Sequence, residues 1–260
     1  MAKHRFKGVD ILFETHGKGP ATVLIHGFLE SKWMWKEFVP VLAQRNRIVL
    51  IDLPGHGQSD NIGYVHQMSE MAECVKSVLD SLKVRKATLV GHSMGGYVAL
   101  AFAEMFPDNI RKLILYQSTA RDDSKEKKRD RLRAMKLIKQ NHKSFIRQSI
   151  PMLFRPKNRT RFRSEINALK SEALKTSRQG IIAAIAGMKD RPNREIILKF
   201  APYPIHIIAG DYDPRIPLSE CIEQSQLSST VSLHIIEGVG HMSYIEAEHE
   251  TIELFRKLLK

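Results

Sequence analysis

Gly91-His92-Ser93-Met94-Gly95, followed by Gly96, sets a serine between glycines where the apolar run ATLV (residues 87–90) meets the helix-like run MGGYVALAFAE. A strand that turns sharply into a helix here strains the serine backbone and points its Oγ outward, as a nucleophile requires. Glycines suit the flanking positions because side chains would clash in so tight a turn. The N-terminus of the next helix adds backbone N–H groups and the positive end of a dipole beside the hydroxyl. A serine that merely caps a glycine-rich helix start would use the same residue types. The two readings part on whether a base and an acid accompany the serine.

GVGHMSYIEAEHE places His241 just after the last apolar run and before the last helix-like run. That is a loop at the carboxyl end of a strand, where α/β sheets gather functional groups. His92 lies within the turn itself and His234 in mid-strand, so both are poorer bases. An acid must orient the base. GDYDPRIP offers Asp211 and Asp213 after the apolar run IHIIA. Asp213 is preferred, two residues further into the loop and followed by a proline-rich turn, while Asp211 suits bracing that loop. Asp122, after LILYQ, is a further rival. A tetrahedral intermediate also needs oxyanion donors: the N–H of Phe28, in His26-Gly27-Phe28-Leu29 after ATVLI, can pair with that of Met94. His26 is assigned to organising that loop.

These residues need a frame that brings loop ends together. The runs at residues 21–27, 47–55, 86–93, 111–118, 204–211 and 231–240 are short, rich in β-branched residues and end in glycine or turn residues. Near-continuous apolar runs suit strands covered on both faces, as in a parallel sheet. Between them SKWMWKEFVPVLAQ, SEMAECVKSVLDSLK, MGGYVALAFAEMF and HETIELFRKLLK carry apolar residues at helical spacing. Alternation of this kind gives βαβ units and a mostly parallel sheet flanked by helices, the α/β class. FKGVDILFETHGKG reads as an antiparallel two-stranded start with HGKG as its turn. From 120 to 200 no strand is legible, and helix-like runs predict a helical cap set into a core of residues 1–119 and 201–260, since a structureless loop of that length is implausible.

With these pieces in order, the chain resembles the α/β-hydrolase superfamily, specifically its small capped esterase-like members. The resemblance rests on HGF (26–28), DLPGHGQS (52–59), GHSMGG (91–96), GDYDPRIP (210–217) and GHMSYIE (240–246). It implies an eight-stranded sheet with the cap inserted after the sixth strand, and it gives Asp52 and His56 no part in a triad. Aspartate nucleophiles of related dehalogenases and epoxide hydrolases are excluded by Ser93, and Met94 stands where prolyl iminopeptidases carry tryptophan. The expected activity is hydrolysis of a small or medium carboxylic ester by Ser93, His241 and Asp213. Two alternatives are kept: carbon–carbon hydrolysis or elimination on a carboxylated substrate, as in the menaquinone-pathway synthase of this group, and a non-enzymatic receptor on the same fold. Leu29, Phe145, Phe154, Met188 and Met242 are the candidate pocket residues.

Composition sets outer bounds. With 260 residues, 43% hydrophobic and 27% charged, the chain can bury a core without staples. Two cysteines, Cys74 and Cys221, make neither a disulfide framework nor a metal motif, and both read as small buried apolar residues. No metal or organic cofactor is expected. No secretory signal or spanning run is legible, so the expected location is the cytoplasm, without a membrane partner. Forty-one Lys and Arg against 28 Asp and Glu give +13, dense from residue 121 to 163. A solvated helical face accounts for it. A sharper reading has Arg147, Arg155 or Arg163 binding a substrate carboxylate. Nucleic acid is not expected as a partner, because no recognition helix or aromatic-studded basic sheet is present.

Overall fold

The apolar runs form the eight strands of a single sheet in the computed structural model, which describes residues 2–260. The strands are β1 (Ala2–Phe6), β2 (Val9–His16), β3 (Ala21–Ile25), β4 (Arg47–Ile51), β5 (Ala87–His92), β6 (Ile110–Tyr116), β7 (Ile205–Gly210) and β8 (Val231–Ile236). Their order is β1-β2-β4-β3-β5-β6-β7-β8. β1 pairs with β2 and β2 with β4 antiparallel, and every other pair is parallel. The hairpin turn joining β1 to β2 is Lys7-Gly8 rather than HGKG, which instead leads from β2 into β3. Gly8, at φ +85°, supplies the left-handed residue that this tight turn needs.

All of β3 and β5 is buried, whereas β8 at the edge is buried only at its two ends, Val231 and Ile236. The central strands are covered on both faces by α1 (Val39–Leu42), α2 (Met68–Ser81), α3 (Met94–Met105) and further helices, so apolar residues occupy consecutive positions. Cys74 in α2 is fully buried, and burial pushes its thiol up to about 12. Cys221 is likewise buried and free.

Between β6 and β7 the chain forms α4 (Lys125–Ser149), α5 (Arg163–Ala173), α6 (Arg178–Lys189) and α7 (Glu195–Phe200), without a strand. Ser124 and Ser177 cap α4 and α6, accepting from the N–H groups of Lys127 and Gly180. α4 bends at Asn141, which leaves helical geometry (φ −154°, ψ 88°) while its Oδ1 accepts from the Ser144 N–H. After β7 come α8 (Leu218–Ser225), then α9 (Ser243–Glu246) and α10 (Glu248–Leu258) beyond β8. A parallel sheet thus delivers the ends of β3, β5, β7 and β8 to one edge.

Candidate active site

Ser93 stands between β5 and α3 at φ +49° and ψ −113°, a conformation L-residues avoid. The glycines make that turn possible. A Cβ on Gly91 would lie 2.3 Å from the Gly95 carbonyl oxygen, and one on Gly95 would lie 2.3 Å from that of Ile25. Leu29 (φ +63°), after β3, and Gln117 (φ +46°), after β6, are also left-handed without being glycine. Such residues cost of order 1–3 kcal/mol each and cluster at functional sites. Here three of them surround one sheet edge.

His241 reaches this edge from the loop after β8. Its Nε2 lies 2.9 Å from Ser93 Oγ, and its Nδ1 lies 2.7 Å from Asp213 Oδ2. Asp213 and His241 side chains are both almost fully buried. Asp213 Oδ1 accepts from the N–H groups of Arg215 (2.7 Å) and Ile216 (3.1 Å), which fixes the carboxylate. Asp211 instead accepts from the Val239 N–H at 3.1 Å and braces the two loops. Asp122 is exposed and its carboxylate faces Lys128. Neither the Phe28 nor the Met94 N–H has a hydrogen-bond partner among the described residues. His26 accepts from the Leu53 N–H at 2.9 Å through Nε2, and its ring is buried against His56. Burial holds the His26 imidazole below its usual range, the nearby Asp52 carboxylate notwithstanding.

Two residues around this site have no counterpart in the sequence reading. Glu30, buried, accepts from the Gly27 N–H (2.7 Å) and the Tyr244 hydroxyl (2.9 Å), and its Oε2 lies 2.8 Å from His92 Nδ1. His92 Nε2 in turn lies 3.2 Å from the His241 carbonyl oxygen. Burial disfavours both charges, but each outweighs that cost for the other. The Glu30 carboxyl is held low and the His92 imidazole is held high. One buried ion pair therefore ties together the loops carrying Phe28, Ser93 and His241. Glu246 makes a second tie. Its Oε1 accepts from the Gly240 N–H, and its Oε2 accepts from the Arg155 N–H and the Asn158 amide. The His241 N–H donates to Leu153 at 2.7 Å, so the helical insertion grips the histidine loop directly.

The other candidate residues differ in burial and partners. Leu29, Phe154, Met188 and Met242 are packed into the core and Phe145 is half-buried against it. A cavity of about 450 Å³ bounded by Glu30, Lys32, Trp33, Asp52, Gln58 and Glu172 lies apart from Ser93, Asp213 and His241, none of which lines it. Arg147 and Arg163 are exposed. Arg155 stacks on Tyr212, 3.8 Å from its ring centre, and donates to the Gly238 carbonyl. The buried arginines of the insertion are Arg191, which pairs with Asp123 at 2.7 Å and lies over the Tyr97 ring, and Arg194, which pairs with Glu104 at 2.9 Å.

The sequence matches the family model for the alpha/beta hydrolase fold over residues 20–248. The chain belongs to the α/β-hydrolase family. A thermophilic esterase from Thermogutta terrifontis is similar in structure to this α/β-hydrolase, with a TM-score of 0.92 and 30% identity over 96% of this chain and 93% of that one. The enol-lactonase from Burkholderia xenovorans LB400 shares the fold at 19% identity, with a TM-score of 0.92 and 99% of each chain covered. A putative 2-succinyl-6-hydroxy-2,4-cyclohexadiene-1-carboxylate synthase of Bacillus subtilis is 26% identical over 243 residues, 87% of this chain and 85% of its own. An uncharacterized protein of Mycobacterium tuberculosis is 40% identical over 103 residues, and the match spans only 30% of its length.

Proposed function

We propose that this α/β-hydrolase is a serine esterase that cleaves a small or medium carboxylic ester through an acyl-enzyme. The observation that carries the reading is the unbroken line Ser93 Oγ, His241 Nε2, His241 Nδ1, Asp213 Oδ2, with gaps of 2.9 and 2.7 Å. In this mechanism Ser93 Oγ attacks the ester carbonyl as its proton passes to His241 Nε2. Asp213 holds the imidazole in the tautomer with hydrogen on Nδ1 and stabilises the imidazolium. The free N–H groups of Phe28 and Met94 receive the oxyanion. Collapse breaks the bond to the alkoxy group, which leaves with the proton from His241. Water, deprotonated by the same imidazole, then attacks the acyl-enzyme and regenerates Ser93. The helical segment 120–200 serves as the cap that shapes the acyl pocket.

A fluorophosphonate probe tests the nucleophile, and p-nitrophenyl esters of increasing chain length test the reaction. Mass spectrometry should find the adduct on the peptide bearing Ser93, with turnover of at least the shorter esters. An unmodified Ser93 peptide would overturn the proposal. Labelling of Ser93 without turnover of any ester would favour the second reading, elimination or carbon–carbon cleavage of a carboxylated substrate. That reading is supported by the match along 87% of the chain to the putative synthase.

A further inference from the structure

The charge of the molecule is concentrated on one part of the insertion. Residues 121–163 hold sixteen lysines and arginines against four acidic residues, so this segment carries twelve of the thirteen net positive charges. The remainder of the chain is close to neutral.

Much of that charge stands on the outer face of α4. Lys125, Arg129, Arg133 and Leu137 follow one another at four-residue spacing. Arg129, Leu132, Lys136 and Lys139 follow at three- and four-residue spacing, so the two rows adjoin on one side of the helix. All seven residues are exposed, while Ile138 is buried on the opposite side, where α4 packs on α6. Among the described residues, Lys125, Arg129, Lys136 and Lys139 have no acidic partner, and Arg133 pairs only with exposed Asp130. Leu132 and Leu137 are 45% and 55% exposed amid these cations, and Met152, just past the end of α4, is 62% exposed.

A helix face needed only for solubility mixes both signs of charge and has no use for leucines. Four cations without an acidic partner, outnumbering Glu126 and Asp130 on the same side and interleaved with exposed aliphatic side chains, fit a surface that is anionic outside and apolar just beneath. We propose that the outer face of α4 docks this protein on an anionic lipid surface. The cations pair with headgroup phosphates while Leu132 and Leu137 enter the acyl boundary, and the helix lies in the plane of the interface. Nucleic acid fits the face less well, since no aromatic side chain stands among these cations to stack on bases. Two leucines insert little area, so docking is reversible and depends on salt. No helix among the described residues is long and apolar enough to cross a membrane. Peripheral docking needs none, and it revises the expectation of no membrane partner, which rested on that absence.

Co-sedimentation of the full chain with vesicles tests the proposal. Vesicles with roughly a third phosphatidylglycerol should pellet the protein at low salt, whereas pure phosphatidylcholine should not. Raising the salt to about 1 M, where screening acts within ~3 Å, should release it. Each cation near an anionic leaflet contributes roughly fivefold in binding. K125Q/R129Q/K136Q/K139Q should therefore lower the partition coefficient roughly 600-fold, with the thermal unfolding midpoint unchanged. L132Q/L137Q, which keeps every charge, should lower it about tenfold by removing the inserted aliphatic groups. Failure to pellet with phosphatidylglycerol vesicles, or equal pelleting with both lipids, would overturn the inference. So would release of the bound protein by duplex DNA together with unchanged vesicle binding by L132Q/L137Q, because the face would then be a general polyanion site.

Discussion

Ser93, His241 and Asp213 act on the proposed mechanism as one proton-transfer unit, so their substitutions differ in kind. Ser93→Ala removes the nucleophile, and kcat for a p-nitrophenyl ester should fall by roughly 10⁶. Asp213→Asn preserves shape but favours the wrong imidazole tautomer, and a loss near ~10⁴ is expected in the same assay. Glu30→Gln probes the neighbouring ion pair. It leaves His92 buried without its counter-charge, which should cost roughly 3 kcal/mol in urea unfolding at neutral pH. The sign of the pH dependence follows from His92, whose imidazole is held above its usual range. Stability gained by that proton is fully present below ~6.5 and is lost as pH rises through the raised value. The gap between wild type and Glu30→Gln should accordingly narrow in alkali, and a gap independent of pH would show that charge is not what the pair supplies. The three catalytic candidates were legible because each stands in a loop directly after an apolar run, within a run of turn residues. The Glu30–His92 pair was not, since its members are 62 residues apart and a glutamate beside the oxyanion loop reads as an ordinary solvated side chain.

At the scale of elements, the central strands declare themselves because burial on both faces leaves no exposed position in β3, and the alternation of strand and helix fixes the class. Boundaries and bends are weaker signals. The first hairpin turns at Lys7-Gly8, one of two glycine-containing stretches that could each have served. The bend at Asn141 hides in a polar run whose composition continues the helix on either side. Docking of the insertion is equally silent in the sequence, because it depends on the absence of a side chain. A Cβ on Gly187 of α6 would lie 1.7 Å from the His66 carbonyl oxygen, so α6 touches the loop after β4 backbone to backbone. The His66 N–H donates to the Ala183 carbonyl at 3.0 Å in the same contact. Gly187→Ala must push α6 outward, and the overpacking should cost about 1–3 kcal/mol in thermal or urea unfolding despite the better helix propensity of alanine. Gly63→Ala is the matched control, since nothing lies within 4 Å of its added Cβ. A shift as large there as at Gly187 would remove contact as the explanation.

At the scale of the whole molecule, the net charge of +13 suggests that added protons should be unwelcome, yet most of that charge lies on an exposed segment where water screens it. Buried neutral histidines make a sharper prediction. Burial pushes the His66 imidazole down to about 4, and neither ring nitrogen has a partner among the described residues. Burial, with a smaller contribution from His234 at 3.2 Å, pushes His206 down to about 4 as well. Such groups bind protons in the unfolded chain, near ~6.5, before they do so in the folded one, so folding stability falls as pH drops from that value towards 4. Between pH 7 and pH 5, His66 alone should cost on the order of 2 kcal/mol, and partly exposed His206 less. Glu246, whose carboxyl is raised by burial, opposes this trend as the pH falls towards the ordinary carboxylate range. Urea unfolding at the two pH values should therefore show a clear loss at pH 5. His66→Leu should remove the share that His66 contributes, on the order of 2 kcal/mol, and leave the shares of the other buried histidines. An equally steep fall in the variant would place the acid lability elsewhere, first in His26 and His56, which burial also holds in the neutral form.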